Sequence, residues 1–181
     1  MSYITFDDIK IALKSIINFD EGGGTRYGAE SGGFVMDSST VMSYINEAEA
    51  FVLRKLSTLY AIPLTSSVNE GTTLDDFEDM TKYNLKSLFI DATCVRIVSY
   101  VFAQQGNSIH LRNYIHELKE RLEENIALSL EKDISGGIIY PSFQDLELSS
   151  KYLTREQNPI PTISTGSMSS FNSQIINFGK Y

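Results

Sequence analysis

Val41 to Leu64, reading VMSYINEAEAFVLRKLSTLYAIPL, constrains the fold more than any other stretch of this chain. Its apolar residues Val41, Tyr44, Ile45, Ala48, Phe51, Val52, Leu56 and Leu59 recur in steps of three and four. That spacing puts them on one face of a long helix, and the face must be covered by something apolar. Pro63 disfavours the helical region for Ile62, so the helix is predicted to end near Tyr60.

The rest of the chain supplies further helices. A first one is predicted from about Phe6 to Ile17, with Thr5 as its N-cap. Asp7 and Asp8 fall in its first turn, where the helix dipole favours negative charge. Phe6, Ile9, Leu13, Ile16 and Ile17 form its buried face. Residues 18–37 hold six of the twelve glycines and read as a long flexible loop. Asp37, Ser38 or Ser39 then caps the Val41 helix, with Met36 placed for a staple contact. Beyond a short polar connection over 64–72, Thr73 and Asp76 resemble a capping box. A third helix runs from there toward Gln105, with Leu85, Leu88, Phe89, Ala92, Val95, Val98 and Phe102 among its apolar residues. The weakly patterned stretch Asp79–Asn84 allows a break. A fourth helix is predicted from about Ile109 to Lys132, with Ile115, Leu118, Leu122, Ile126 and Leu130 facing inward. Glu117 with Arg121 and Lys119 with Glu123 are spaced to pair on its wet side. Gly136 and Gly137 end the helical part. Ile138–Tyr140 is a short apolar run that suits a strand or an inserted clip, and a last helical turn or two is expected near Phe143–Tyr152. The predicted class is all-α: a small antiparallel bundle of about four helices over residues 1–149, with a Gly-rich loop and a long extended C-terminal arm over residues 150–181.

The arm changes composition. Pro159 and Pro161 impose extended geometry around Ile160. Ile160, Ile163, Phe171, Ile175, Ile176, Phe178 and Tyr181 are too apolar for an idle tail, so the arm is expected to dock on another chain. Ile175 to Phe178 suits addition as a strand to a neighbour's sheet edge. Fully extended, the 28 residues from Thr154 to Tyr181 reach at most roughly 90–100 Å.

The formal net charge is −8. The arm holds Lys151, Arg155 and Lys180 against Glu156 alone, which leaves residues 1–149 ten charges negative. So acidic a body argues against a surface that grips phosphate backbones, although not against DNA sliding past. Cys94 is the single cysteine, so no intrachain disulfide forms, and its apolar neighbours indicate a core position. MSYITFDDIK carries acids where a signal peptide needs bases, and no run of eighteen apolar residues exists to span a membrane.

No catalytic constellation can be assembled. Gly23 to Gly28 has the gap of a P-loop, but Ala29 and Glu30 stand where its lysine and hydroxyl belong. His110 and His116 are six apart, off the spacing of a helical zinc pair. Asp75, Asp76, Glu78 and Asp79 lack the EF-hand pattern and read as charge at a helix start. The expectation is a protein with no enzymatic activity, no cofactor and no metal.

The order of these signals resembles the head–tail connector (adaptor) proteins of tailed bacteriophages. The likeness covers about residues 1–140. It starts at YITFDDIKIAL, is strongest where the long helix closes on Tyr60, Pro63 and Leu64, and ends at LEKDISGGI, Leu130 to Ile138. The Gly-rich loop and the C-terminal arm are longer than the pattern needs. The resemblance implies a homo-oligomeric ring, expected as a dodecamer, beneath the portal protein. Such a ring sits at the head–tail junction of the virion after synthesis in the host cytoplasm. It joins head to tail or stopper protein and continues the DNA channel, without membrane contact or sequence-specific DNA binding. Surplus acids lining the bore would let DNA slide without sticking. Tyr60, Pro63, Leu64 and the apolar arm residues are the expected partner contacts. Two alternatives stand beside this one: another neck or tail-completion protein, or a small helical regulator of a host or phage protein that is absent from virions.

Overall fold

The computed structural model describes residues 2–20, 34–105, 109–135 and 138–150. One compact unit spans Met1–Ser149. Its body is four helices, α1 (Phe6–Leu13), α2 (Ser38–Leu56), α3 (Asp79–Gln105) and α4 (Ile109–Ser129). The all-α class predicted from periodicity is the observed one. Two short ladders accompany the helices. β1 (Ile17–Asp20) pairs in parallel with β2 (Phe34–Asp37), and β3 (Lys132–Ser135) pairs antiparallel with β4 (Ile138–Pro141). The run Ile138–Tyr140 is thus a strand. The predicted loop over 18–37 is corrected at both ends, where Ile17–Asp20 and Phe34–Asp37 pair with each other; residues 21–33 lie outside the described residues.

Caps set the helix starts. Thr5 and Asp8 form a reciprocal capping box on α1: the Asp8 amide donates to Thr5 Oγ1 at 3.3 Å and the Thr5 amide to Asp8 Oδ2 at 2.9 Å. α1 stops at Leu13, short of the predicted Ile17, because Ile17 is recruited into β1. Asp37 caps α2, accepting from the Thr40 amide at 2.8 Å, and Met36 beside it is fully buried. α2 ends at Leu56, and one further turn carries the chain to Tyr60, whose amide still donates to Leu56 O at 2.9 Å. The Thr73–Asp76 box forms too, but it caps a 3-10 turn, Leu74–Asp76. The chain breaks at Phe77, ahead of the expected Asp79–Asn84, and α3 then runs unbroken from Asp79. Gly71 lies against that box, where a Cβ would stand 2.1 Å from Asp76 Cγ, so any side chain there displaces the capping carboxylate.

α3 packs along both α2 and α4, while α2 and α4 meet only briefly; α1 covers α3 and α2 from another side. The core takes Ile9 and Leu13 from α1, Val41, Ile45, Ala48, Val52 and Leu56 from α2, Leu85, Phe89, Ile97 and Val101 from α3, and Leu118 and Leu122 from α4. Asp8 anchors α1 to α3 through Lys86 Nζ at 2.8 Å. Burial raises the Asp8 carboxyl, but Lys86 and Thr5 outweigh that and hold it below its ordinary value. The pair therefore contributes stability that is present above the unfolded-state pKa, about 3.9, and is lost as pH falls through the lower folded value. In scanning calorimetry Asp8→Asn should flatten the fall of Tm below about pH 4. Parallel curves for variant and wild type would remove Asp8 from the acid limb.

Residues 142–149 are not helical, contrary to the expectation of a helical turn or two near Phe143–Tyr152; Ser150 is helical, and Lys151 and Tyr152 lie outside the described residues. Residues 145–149 run antiparallel to 59–67, with bridges Tyr60–Leu148 and Ser66–Leu146. The backbone bonds are Ala61 N to Glu147 O at 2.9 Å, Glu147 N to Thr65 O at 3.0 Å, Ser67 N to Asp145 O at 2.7 Å and Ser149 N to Leu59 O at 2.9 Å. A helix would forgo these bonds and expose Phe143 and Leu146, both of which are buried. Residues 151–181 lie outside the described residues.

Candidate partner-binding surface

The predicted contact residues divide by burial. Tyr60 is interior, at 1 % exposure, and Leu64 is fully buried, so neither offers a surface to a partner. The resemblance implies both as partner contacts. The physical reason for the correction is the segment 143–149, which covers them. The Tyr60 hydroxyl donates to Ser129 O at 2.9 Å and accepts from the Phe143 amide at 3.1 Å, and its ring meets Phe143 at 5.9 Å between centroids. Burial pushes its phenol above the ordinary value. Pro63, joined to Ile62 by a cis peptide, is exposed, as is Ile62. They border a hollow of about 380 Å³ shared with Tyr3 and Leu74. Ile160, Ile163, Phe171, Ile175, Ile176, Phe178 and Tyr181 lie outside the described residues.

Two carboxylates without a local sequence signal tie non-helical segments to the helices, Asp145 from the closing segment and Glu49 to the N-terminal residues. Asp145, buried, accepts from the Glu78 amide at 2.9 Å and from Thr81 Oγ1, and so caps α3 from far along the chain. Glu49, on the buried side of α2, accepts from Ser2 Oγ at 2.6 Å, the Tyr3 amide at 2.6 Å and the Ile4 amide at 3.4 Å. Tyr3 then stacks on Phe89 with centroids 4.7 Å apart and planes 10° apart. No local pattern marks either acid, because their partners are remote in sequence.

A third acid, Asp91 of α3, meets Arg121 of α4, with Nε 2.9 Å from Oδ2 and Nη2 on Oδ1. Arg121 was expected to pair with Glu117 along its own helix. It crosses to α3 because Asp91, only 4 % exposed, needs a partner, while Glu117 has water. The Asp91 carboxylate holds the Arg121 guanidinium above its ordinary value. Cys94 beside them is buried, and burial, with Asp91 adding to it, pushes the thiol up to about 12. Removing Arg121 strands a buried charge. Because its side chain is itself 58 % exposed, solvent screens part of the loss, and Arg121→Ala should cost about 2 kcal/mol. Adding Asp91→Leu to Arg121→Ala should recover most of that loss in urea titration; a double variant no better than the single would contradict the stranded-charge account.

Among the described residues, apolar side chains exposed singly include Ile11, Val68 and Ile109, and two larger apolar surfaces stand out. Because α2 and α4 diverge on either side of α3, an open groove of about 550 Å³ lies over α3, lined by Tyr44, Phe51, Val95, Arg96, Leu122 and Ile126 among others. Tyr44 and Phe51 belong to the apolar face read from the sequence, yet both are only half-buried. The groove continues past Ser99 and Lys119 into a hollow of about 510 Å³ with Phe102 and Arg112. Elsewhere on α3, Met80 is 72 % and Tyr83 73 % exposed. Tyr83 shares a shallow hollow with Leu128 of α4, which is 53 % exposed.

Among the described residues no helix is long and apolar enough to cross a membrane, and no group of three or more His, Cys, Asp or Glu is placed to hold a metal ion. No family model, no curated protein and no solved structure matches the chain.

Proposed function

We propose that this chain is a subunit of the ring that joins head to tail beneath the portal of a tailed bacteriophage. The observation that carries the reading is the unit from Val41 to Leu64, on which the resemblance rests. Its helix ends at Leu56, one further turn leads to the interior Tyr60, and the Pro63 loop beyond is held by backbone bonds to residues 145–149. A rigid helix-and-loop piece with an exposed Ile62–Pro63 tip suits a mechanical part that docks on neighbours. The helical class favours this over a β-rich stopper or terminator. The uncovered apolar groove and patch supply faces for neighbouring subunits, and the acidic body suits a bore through which DNA slides. The portal above and the tail or stopper protein below are the proposed partners.

Immunogold labelling of purified virions tests the reading. Label at the head–tail junction supports it. A chain present in the lysate but absent from finished particles overturns it in favour of a helical non-virion regulator, for which the same groove would receive a host or phage protein.

A further inference from the structure

The two uncovered surfaces differ in shape and in charge. Met80 and Tyr83 stand out into solvent from α3, with Tyr83 and Leu128 on the rim of the hollow between α3 and α4, and the chain leading into α3 carries Glu78, Asp79 and an Asp75 that pairs with Lys82. The groove is a concave apolar surface lined by Arg96, Arg112 and Lys119 against Glu123, with Glu47 held by Arg96 at 3.2 Å. A basic lining is out of keeping with a chain of net charge −8. It suits an acidic, apolar occupant, and the patch is one.

We propose that the Met80–Tyr83–Leu128 patch of one copy seats in the α2–α3–α4 groove of a second copy. Both surfaces ride on α3, so their relation follows from helix geometry. Met80, Tyr83, Asn84 and Ser87 make one stripe of α3; Ala92, Val95, Arg96 and Ser99 make another. At 100° and 1.5 Å per residue the stripes are roughly 120° apart in rotation and roughly 18 Å apart along the axis. One copy cannot bring its own patch to its own groove. The contact is heterologous, each copy giving a patch to one neighbour and a groove to the other, which generates a ring when the rotation closes. Tyr83 and Met80 enter the apolar floor near Phe51 and Val95, while Glu78 and Asp79 approach Lys119 and Arg112.

The inference rests on the ring reading for its setting, and sedimentation velocity tests it apart from that reading. The full chain should sediment as species larger than a monomer. Tyr83→Asp blocks the patch and Ser99→Arg fills the groove, so each variant alone should be monomeric. Mixed in equal amounts they should form dimers and nothing larger, since one intact patch then meets one intact groove. Circular dichroism checks that each variant folds. Should Ser99→Arg fail to fold, Lys119→Glu and Asp79→Lys replace the pair: each alone should weaken association at low salt, and the two in one chain should restore it. A wild type monomeric up to its solubility limit, a single blocked variant that still associates, or a mixture that stays monomeric or grows past the dimer would overturn the contact. Association without virion label would refute the connector and keep the contact; virion label with a monomeric chain would do the reverse.

Discussion

Tyr60→Ala should lower the unfolding free energy by about 4 kcal/mol, the cost of emptying a large buried aromatic site. Tyr60→Phe should cost about 1.5 kcal/mol, because the ring stays while two polar partners lose theirs. The hydroxyl stands between the end of α4, at Ser129 O, and the start of the closing segment, at the Phe143 amide. Without it the Phe143 amide is left buried with no acceptor from Tyr60. Urea titration of both variants measures the difference. A phenylalanine variant as stable as wild type would mean that the ring alone holds the closing segment. The backbone bonds between residues 59–67 and 145–149 should then persist in both.

Glu49→Ala should cost about 3 kcal/mol, since it leaves the Tyr3 amide and the buried Ile4 amide without their acceptor. Glu49→Gln keeps an oxygen in place and loses only the charge assistance, so about 1 kcal/mol is expected. The distinguishing measurement is amide hydrogen exchange. In the alanine variant Tyr3 and Ile4 should exchange far faster than in wild type, while the α3 amides near Phe89 should change only in step with global stability. Unchanged protection at Tyr3 and Ile4 would show that the N-terminal residues are held by the Tyr3–Phe89 stack instead.

These two residues also mark where sequence reading stops. The helices were readable because their signals are local. Ile9 and Leu13, the run from Val41 to Leu56, and Ile115 to Ile126 repeat at helical spacing, and Thr5, Asp37 and Thr73 cap by bonding residues three positions away. Glu49 gives no such sign. It sits among alanines on a helix whose acids otherwise face water, and its partners lie 45 to 47 residues upstream. Asp145 and Arg121 are hidden in the same way, since each bonds across a helix boundary. Tyr60 and Leu64 are expected contacts only through the resemblance, and the segment that covers them begins at Phe143, 83 residues beyond Tyr60, where no local signal links the two. Of the candidate surface, Tyr44 and Phe51 were visible as apolar positions. Nothing local tells which members of an apolar face a three-helix arrangement will leave half-covered.

Asp145 has a consequence for how the protein is made. The carboxylate that caps α3 binds Thr81, 64 positions earlier in the chain. At ribosomal speed those 64 residues take roughly 3 to 13 s to add, long against the microseconds in which a helix forms. Through that interval α3 exists without its cap, and Tyr60 without the Phe143 amide. The nascent chain therefore has its helices early and its closure late. Closure of the bundle waits for the segment around Phe143 and Asp145, however early its helices form.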